Sequence, residues 1–300
     1  MAAVVEVEHL AKHYGDFVAV EDVSFSVDEG EIFGILGPNG SGKTTTVECL
    51  QGLRRADGGD LRVLGHDPRR ESAQLRTRIG SQLQESALPE RIKVWEALAF
   101  FSSMVPGGSD WETVLEQWGL TEKRSATFAS LSGGQQQRLF VALAVVNRPE
   151  LVFLDEMTTG LDPSSRRVAW DLIRRIRDGG TTVVLVTHFM DEAENLCDRL
   201  AVIDHKRVVA VDTPDGLVNT YAGKTEVTFS TDAPDLGFLD KVDGVDSVQR
   251  NGRRVSIRGD GPLLVHVAAG LSANGLAPTD LQVRRANLED VFLTITKRES

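Results

Sequence analysis

The residues with the clearest chemical potential form one run, Gly37-Pro38-Asn39-Gly40-Ser41-Gly42-Lys43-Thr44, which satisfies GxxxxGK[ST] in full. Glycines in such a run let successive backbone N–H groups turn inward on a phosphate with no Cβ in the way, and a following helix adds its positive end. Lys43 then supplies a compact cation for β- and γ-phosphates, the Thr44 hydroxyl a ligand for Mg²⁺, and Thr45 completes the nucleotide-binding set. Such a loop needs a second support for the metal. Leu151-Val152-Phe153-Leu154-Asp155 has the form required, an acid at the C-terminal end of an apolar strand. Asp155 is expected to hold the metal, and the adjacent Glu156 to polarise the water that attacks a γ-phosphate.

These groups can meet only if strands and helices deliver them to one edge. Glu31 to Leu36 reads as an apolar strand running into the glycine-rich turn, and Thr44 to Leu50 as the helix after it. Leu151 to Leu154 and Thr182 to Val186 read as buried strands separated by an amphipathic helix, Ser164 to Arg177. That alternation predicts an α/β fold around a parallel sheet. Val4 to Glu8 and Val23 to Val27 alternate as antiparallel strands do, whereas Val94 to Met104, Trp111 to Trp118 and the stretch after Gly133 read as a helical insertion. The expectation is a P-loop NTPase with an antiparallel β subdomain and a helical subdomain.

The remainder of the chain has a different rhythm. A first domain is expected over 1–222 and an accessory domain over 223–300, read as strand Glu226 to Ser230, helix Leu236 to Lys241, strand Val245 to Arg250, strand Val255 to Arg258, helix Pro262 to Ala273 and strand Leu281 to Arg285. This βαββαβ order is the ferredoxin-like, α+β pattern. A last helix, Leu288 to Thr296, places Leu288, Val291, Phe292 and Ile295 on one apolar face.

Composition narrows the function classes. The 300 residues are 41% hydrophobic and 26% charged, enough to bury a substantial core and too apolar for a disordered chain. A net charge of −11 disfavours a sequence-blind grip on DNA or RNA, so no nucleic-acid partner is expected. Only Cys49 and Cys197 are present, which excludes a disulfide scaffold and suits a reducing compartment. The longest apolar run, Leu139 to Val146, is eight residues against the roughly 20 needed to span a bilayer, and Glu6 and Glu8 interrupt any secretory leader, so a cytoplasmic location is expected.

Leu131-Ser132-Gly133-Gly134-Gln135-Gln136-Gln137-Arg138 resembles the signature of ATP-binding cassette proteins. Alone, its serine and glycines read better as an N-cap and turn before a helix over Gln135 to Val146. The resemblance extends from about Val4 to Thr220. It implies that Tyr14 stacks on adenine, that Gln84 is the Q-loop glutamine and a metal ligand, that Asp155 and Glu156 are the Walker B acid and the catalytic glutamate, that Gly160-Leu161-Asp162 is the D-loop, and that His188 is the switch histidine. ATP with Mg²⁺ is the implied cofactor pair. Lys43 and Gln84 join Glu156 and His188 in the implied catalytic set.

The resemblance also implies a partner: Ser132, Gly133, Gly134 and Gln135 would contact the ATP of a second cassette in a head-to-tail dimer, most simply a homodimer. Relatives generally carry proline after the Asp-Glu pair, where this chain has Met157, a change that loosens the turn without removing a catalytic group. Cys197 to Asp204, Thr213-Pro214 and the ending Asn287 to Leu293 resemble bacterial subunits that drive ABC-2 type permeases, mainly in drug and antibiotic efflux. The expected role is therefore ATP hydrolysis driving a separate membrane permease from its cytoplasmic face. The alternatives are a soluble regulatory ATPase without a permease, or the ATPase of an importer.

Overall fold

The computed structural model describes residues 2–82, 87–105, 110–221, 224–284 and 286–297. The chain divides into two compact units, residues 1–214 and 215–300. The junction expected at 222/223 falls on residues outside the described ones.

The first unit opens with β1 (Ala3–Tyr14) and β2 (Phe17–Asp28), an antiparallel hairpin. Val5, Val7, Val23, Phe25 and Val27 are buried while their neighbours face outward, the period-two pattern that made these segments legible as strands. β3 (Ile32–Leu36) is buried along its whole length and leads through the phosphate loop into α1 (Lys43–Leu50). β4 (Gly58–Val63) pairs with β1, and a single turn of helix, α2 (Ser72–Leu75), precedes β5 (Ile79–Gln82). α3 (Val94–Ser102), α4 (Trp111–Gln117) and α5 (Gly133–Val145) form the helical insertion. β6 (Leu151–Asp155), α6 (Pro163–Asp178), β7 (Thr182–Thr187), α7 (Met190–Leu196), β8 (Arg199–Asp204) and β9 (Arg207–Asp212) complete the unit.

Nine strands join in one sheet, ordered β4-β1-β2-β9-β8-β3-β7-β6-β5. β8, β3, β7, β6 and β5 are mutually parallel, and every residue of β3, β6 and β7 is buried because elements cover both faces of that half. The antiparallel half reaches the parallel half through a single pairing, Asp22 with Arg207.

α8 (Pro214–Tyr221) begins at the boundary, and the second unit continues with β10 (Thr225–Ser230), β11 (Val245–Asn251), β12 (Arg254–Gly259), α9 (Leu263–Ala273), β13 (Gln282–Arg284) and α10 (Leu288–Lys297). Its sheet runs β11-β12-β10-β13 with every pair antiparallel, the order a split-βαβ chain adopts when each crossover skips a strand. Val227, Phe229, Val255 and Ile257 on one face of the sheet pack with Leu263, Val267 and Leu271 of α9. The helix expected over Leu236 to Lys241 is instead one 3-10 turn, Leu239–Lys241. The Asp235 carboxylate accepts from Gly237 N at 2.9 Å, a local turn that competes with helix formation at a glycine already poor in helix propensity.

Candidate nucleotide site

Strand register assembles the site. Leu36 of β3 pairs with Thr187 of β7, and Asp155 of β6 pairs with Val186, so the phosphate loop, the Asp155-Glu156 pair and His188 all leave the sheet at its C-terminal edge. Gln82 pairs with Leu154 and reaches the same edge, while Gln84 lies outside the described residues.

Two glycines show why the loop takes this course. Gly42 has φ +103°, a conformation side-chain-bearing residues rarely adopt, at the point where the loop turns into α1. A Cβ on Gly37 would stand 2.1 Å from the carbonyl oxygen of Ile203 on β8, so only glycine lets β3 end so close to its neighbour. Lys43 is 5% exposed, and its Nζ donates to Gly37 O at 2.9 Å and Pro38 O at 3.0 Å. Burial lowers the Lys43 pKa, while the nearby Glu156 and Asp155 carboxylates oppose that shift.

Asp155 is 2% exposed, and burial raises its pKa to about 6 against the opposing hydrogen bond from the Thr44 hydroxyl and the charge of Lys43. Its Oδ1 is buried with no hydrogen-bond partner. Glu156 sits at φ 48°, an uncommon left-handed conformation for a residue with a side chain, and its N–H donates to Val186 O at 2.9 Å. That backbone geometry turns the largely buried carboxylate so that Oε1 lies 3.2 Å from His188 Nδ1. The separation is that of an ion pair when the imidazole carries a proton, and His188 Nδ1 has no hydrogen-bond partner.

A cavity of about 280 Å³ over the loop is lined by Phe17, Ala19, Asn39, Gly40, Gly42, Lys43, Thr44, Thr45 and Glu156. Tyr14 is not in that lining: it is 41% exposed, with Lys12 Nζ 5.1 Å and the Arg54 guanidinium 5.7 Å from its ring centre. Phe17, paired with Tyr14 across the hairpin, is the aromatic at the cavity, 58% exposed with Lys206 Nζ 4.7 Å from its ring. Sequence reasoning missed it, although two aromatics bracketing Gly15-Asp16 were a visible signal.

The remaining expected residues lie elsewhere on the unit. Ser132 caps α5, where its N–H donates to Gln135 Oε1 at 3.0 Å, and Ser132 and Gly133 are exposed. Gly134 lines a different cavity, of about 250 Å³, with Met157, Leu161 and Val168. Asp162 caps α6, accepting from Ser164 N at 3.0 Å and Ser165 N at 3.1 Å. The Ser164 and Ser165 hydroxyls, with those N–H groups, hold its carboxyl well below the usual carboxylate range.

A phosphate loop at the end of a central parallel strand, an acid on the next strand but one and a serine-glycine helix start on an inserted helical segment together define an ATP-binding cassette. Comparison with known proteins agrees. The ABC transporter family profile matches residues 20–159. The chain is 36% identical to a daunorubicin resistance ATP-binding protein of Streptomyces coeruleorubidus, over 97% of this chain and 94% of that one. It is also 36% identical to a Nod factor export ATP-binding protein of Ralstonia nicotianae, over 99% and 94% of the two chains. A solved ATP-binding subunit of an ABC transporter superposes with a TM-score of 0.66 at 27% identity, over 73% of this chain and 93% of that one. The chain belongs to the ABC transporter family, as one of its ATP-binding, ATP-hydrolysing proteins. No helix among the described residues is long and apolar enough to cross a membrane.

Proposed function

We propose that this chain is the ATPase subunit of an exporter of drugs or other hydrophobic compounds, working as a head-to-tail homodimer on a separate ABC-2 type permease at the cytoplasmic face of a membrane. One observation carries the reading: the phosphate-loop cavity is built by the loop, Phe17 and Glu156, while Ser132 and Gly133 are exposed at the start of α5 outside it. A helix start with nothing to bind on its own chain suits the γ-phosphate of a second copy. The names of the relatives, resistance to daunorubicin and export of Nod factor, favour outward transport.

In this reading Asn39 to Thr45 hold the phosphates through backbone N–H groups, and Lys43 exchanges the carbonyls of Gly37 and Pro38 for phosphate oxygens. The buried, unpartnered Asp155 Oδ1 beside the Thr44 hydroxyl fits a hard divalent cation, so Thr44 and Asp155 are assigned to Mg²⁺, with Gln84 joining them by the family resemblance alone. When bound, Mg²⁺ neutralises charge that develops on the phosphates. Glu156 accepts the proton of the attacking water, and His188, 3.2 Å from that carboxylate, orients water and γ-phosphate. Tyr14, the residue assigned to adenine, pairs across the hairpin with Phe17 at the cavity, so a base stacking on either ring would lie against that hairpin.

A groove of about 600 Å³ on the first unit, walled by Leu53, Phe101, Met104 and Phe140 and reaching Gln82, supports docking of a permease segment there. The test uses tagged full-length Glu156→Gln with ATP. A dimer that binds ATP without turning it over, recovered from native membranes with a polytopic membrane protein, supports the reading. Normal hydrolysis refutes the role of Glu156, and recovery of soluble partners alone moves the function to a regulatory ATPase.

A further inference from the structure

α6 and α7 are joined by three contacts spaced one helical turn apart. Arg166 Nη1 lies 3.3 Å from Asp191 Oδ2, and its guanidinium carbon is 4.2 Å from the centre of the Phe189 ring. One turn on, Trp170 Nε1 donates to Glu192 Oε1 at 3.1 Å, and a turn further Arg174 Nη2 donates to Asn195 O at 3.0 Å. Residues 166, 170 and 174 share one face of α6 because side chains four apart stack along a helix.

The middle contact stands out. Glu192 is fully buried, where a carboxyl is tolerated only with partners. Burial raises its pKa against the nearby Thr187 and Thr158 hydroxyls and the Trp170 indole; of these the indole makes the hydrogen bond, to Oε1, while Oε2 and the Thr158 hydroxyl have no hydrogen-bond partner. Both threonines flank the chemistry: Thr187 precedes His188, and Thr158 lies two residues after Glu156. Phe189, which Arg166 covers, sits against His188 with ring centres 4.1 Å apart, and its N–H donates to Thr187 Oγ1 at 3.0 Å. The same helix α6 begins at the exposed cap Asp162.

We propose that the Trp170–Glu192 pair, with Arg166 over Phe189, is a positioning latch that sets His188 against Glu156 according to where the head of α6 stands. The inference rests on the reading of Glu156 and His188 as the hydrolytic pair. α6 is one unbroken helix, so a displacement at Asp162 reaches residues 166 and 170 as a rigid-body shift. A misplacement of about 1 Å at a reacting group lowers rate by about a hundredfold. A shift of the head of α6 is thereby read at His188.

The experiment compares purified full-length wild type, Trp170→Phe, the double variant Trp170→Phe with Glu192→Leu, and His188→Ala, by kcat, KM for Mg-ATP and thermal midpoint. Trp170→Phe leaves a buried carboxyl without its donor and should lower both stability and kcat. Replacing both partners by apolar groups should restore the thermal midpoint. The latch predicts that kcat in the double variant stays about tenfold or more below wild type with KM unchanged within about twofold. Recovery of kcat together with the thermal midpoint overturns it, since a packing role alone would return activity with stability. Normal turnover in His188→Ala overturns the underlying assignment of the hydrolytic pair, and the latch with it.

Discussion

Lys43 spends its charge on its own loop until a phosphate arrives. Nζ is held by two carbonyls in a buried position, and the cost of that burial is offset by the facing Glu156 and Asp155 carboxylates. A phosphate replaces neutral acceptors with anionic ones, so most of the lysine's binding value appears only with ligand. Lys43→Ala should therefore weaken ATP binding by about tenfold to a hundredfold, the range for a lost charge-assisted hydrogen bond, in equilibrium titration with a fluorescent ATP analogue. Unchanged affinity would count against the cradle. The residue types at this centre were readable in the chain, because each was the one side chain its position could use. Phe17 as a cavity-lining ring was not, because which ring of that hairpin borders the cavity depends on the tertiary structure.

The elements carry a different class of prediction. Asp162 spends its carboxylate on the first turn of α6, accepting from two backbone N–H groups and two hydroxyls. Its pKa is lower folded than unfolded, so its stabilisation is full above the ordinary carboxylate pKa and is lost as pH falls towards the depressed value. Asp162→Ala should melt below wild type at neutral pH, and the gap should narrow on acidification below about pH 4, in thermal unfolding followed by circular dichroism. A gap independent of pH would remove the carboxylate from the cap. At the end of β3, Gly37→Ala would drive a Cβ to 2.1 Å from Ile203 O and force β3 and β8 apart. A stability loss of about 1–3 kcal/mol in urea titration, with ATP binding abolished, is expected. Wild-type behaviour would show that the loop relaxes freely.

For the whole molecule, the groove proposed for permease docking, beside Gln82, lets catalysis be tested apart from coupling. Met104 lines it and is 55% exposed, remote in sequence from every phosphate-binding residue. Met104→Glu should leave ATP affinity and basal turnover of the isolated chain within about twofold while reducing recovery of a membrane partner about five- to thirtyfold, as for loss of one interface hot spot. Equal loss of basal turnover would place the groove inside the catalytic machinery instead.

Local chemistry made the phosphate loop, the acid at the end of β6, the cap at Ser132 and most strands and helices legible, because each depends on neighbours within a few residues: glycine where backbone N–H groups must converge, apolar runs where both sheet faces are covered, serine where a helix starts. The short β4 and β5 and the helix α7 went unread, since their pairing and burial come from distant partners, and so did α2, α8 and the β8–β9 hairpin, whose strands pair locally. The helix expected at Leu236 failed for a reason three residues wide, the Asp235 turn at Gly237. Nothing in the linear pattern brought Trp170 to Glu192, or gave Glu156 the left-handed backbone that presents it to His188. Those arrangements are contacts between segments far apart in the chain, and only packing α6 and α7 beside the edge of the parallel sheet creates them.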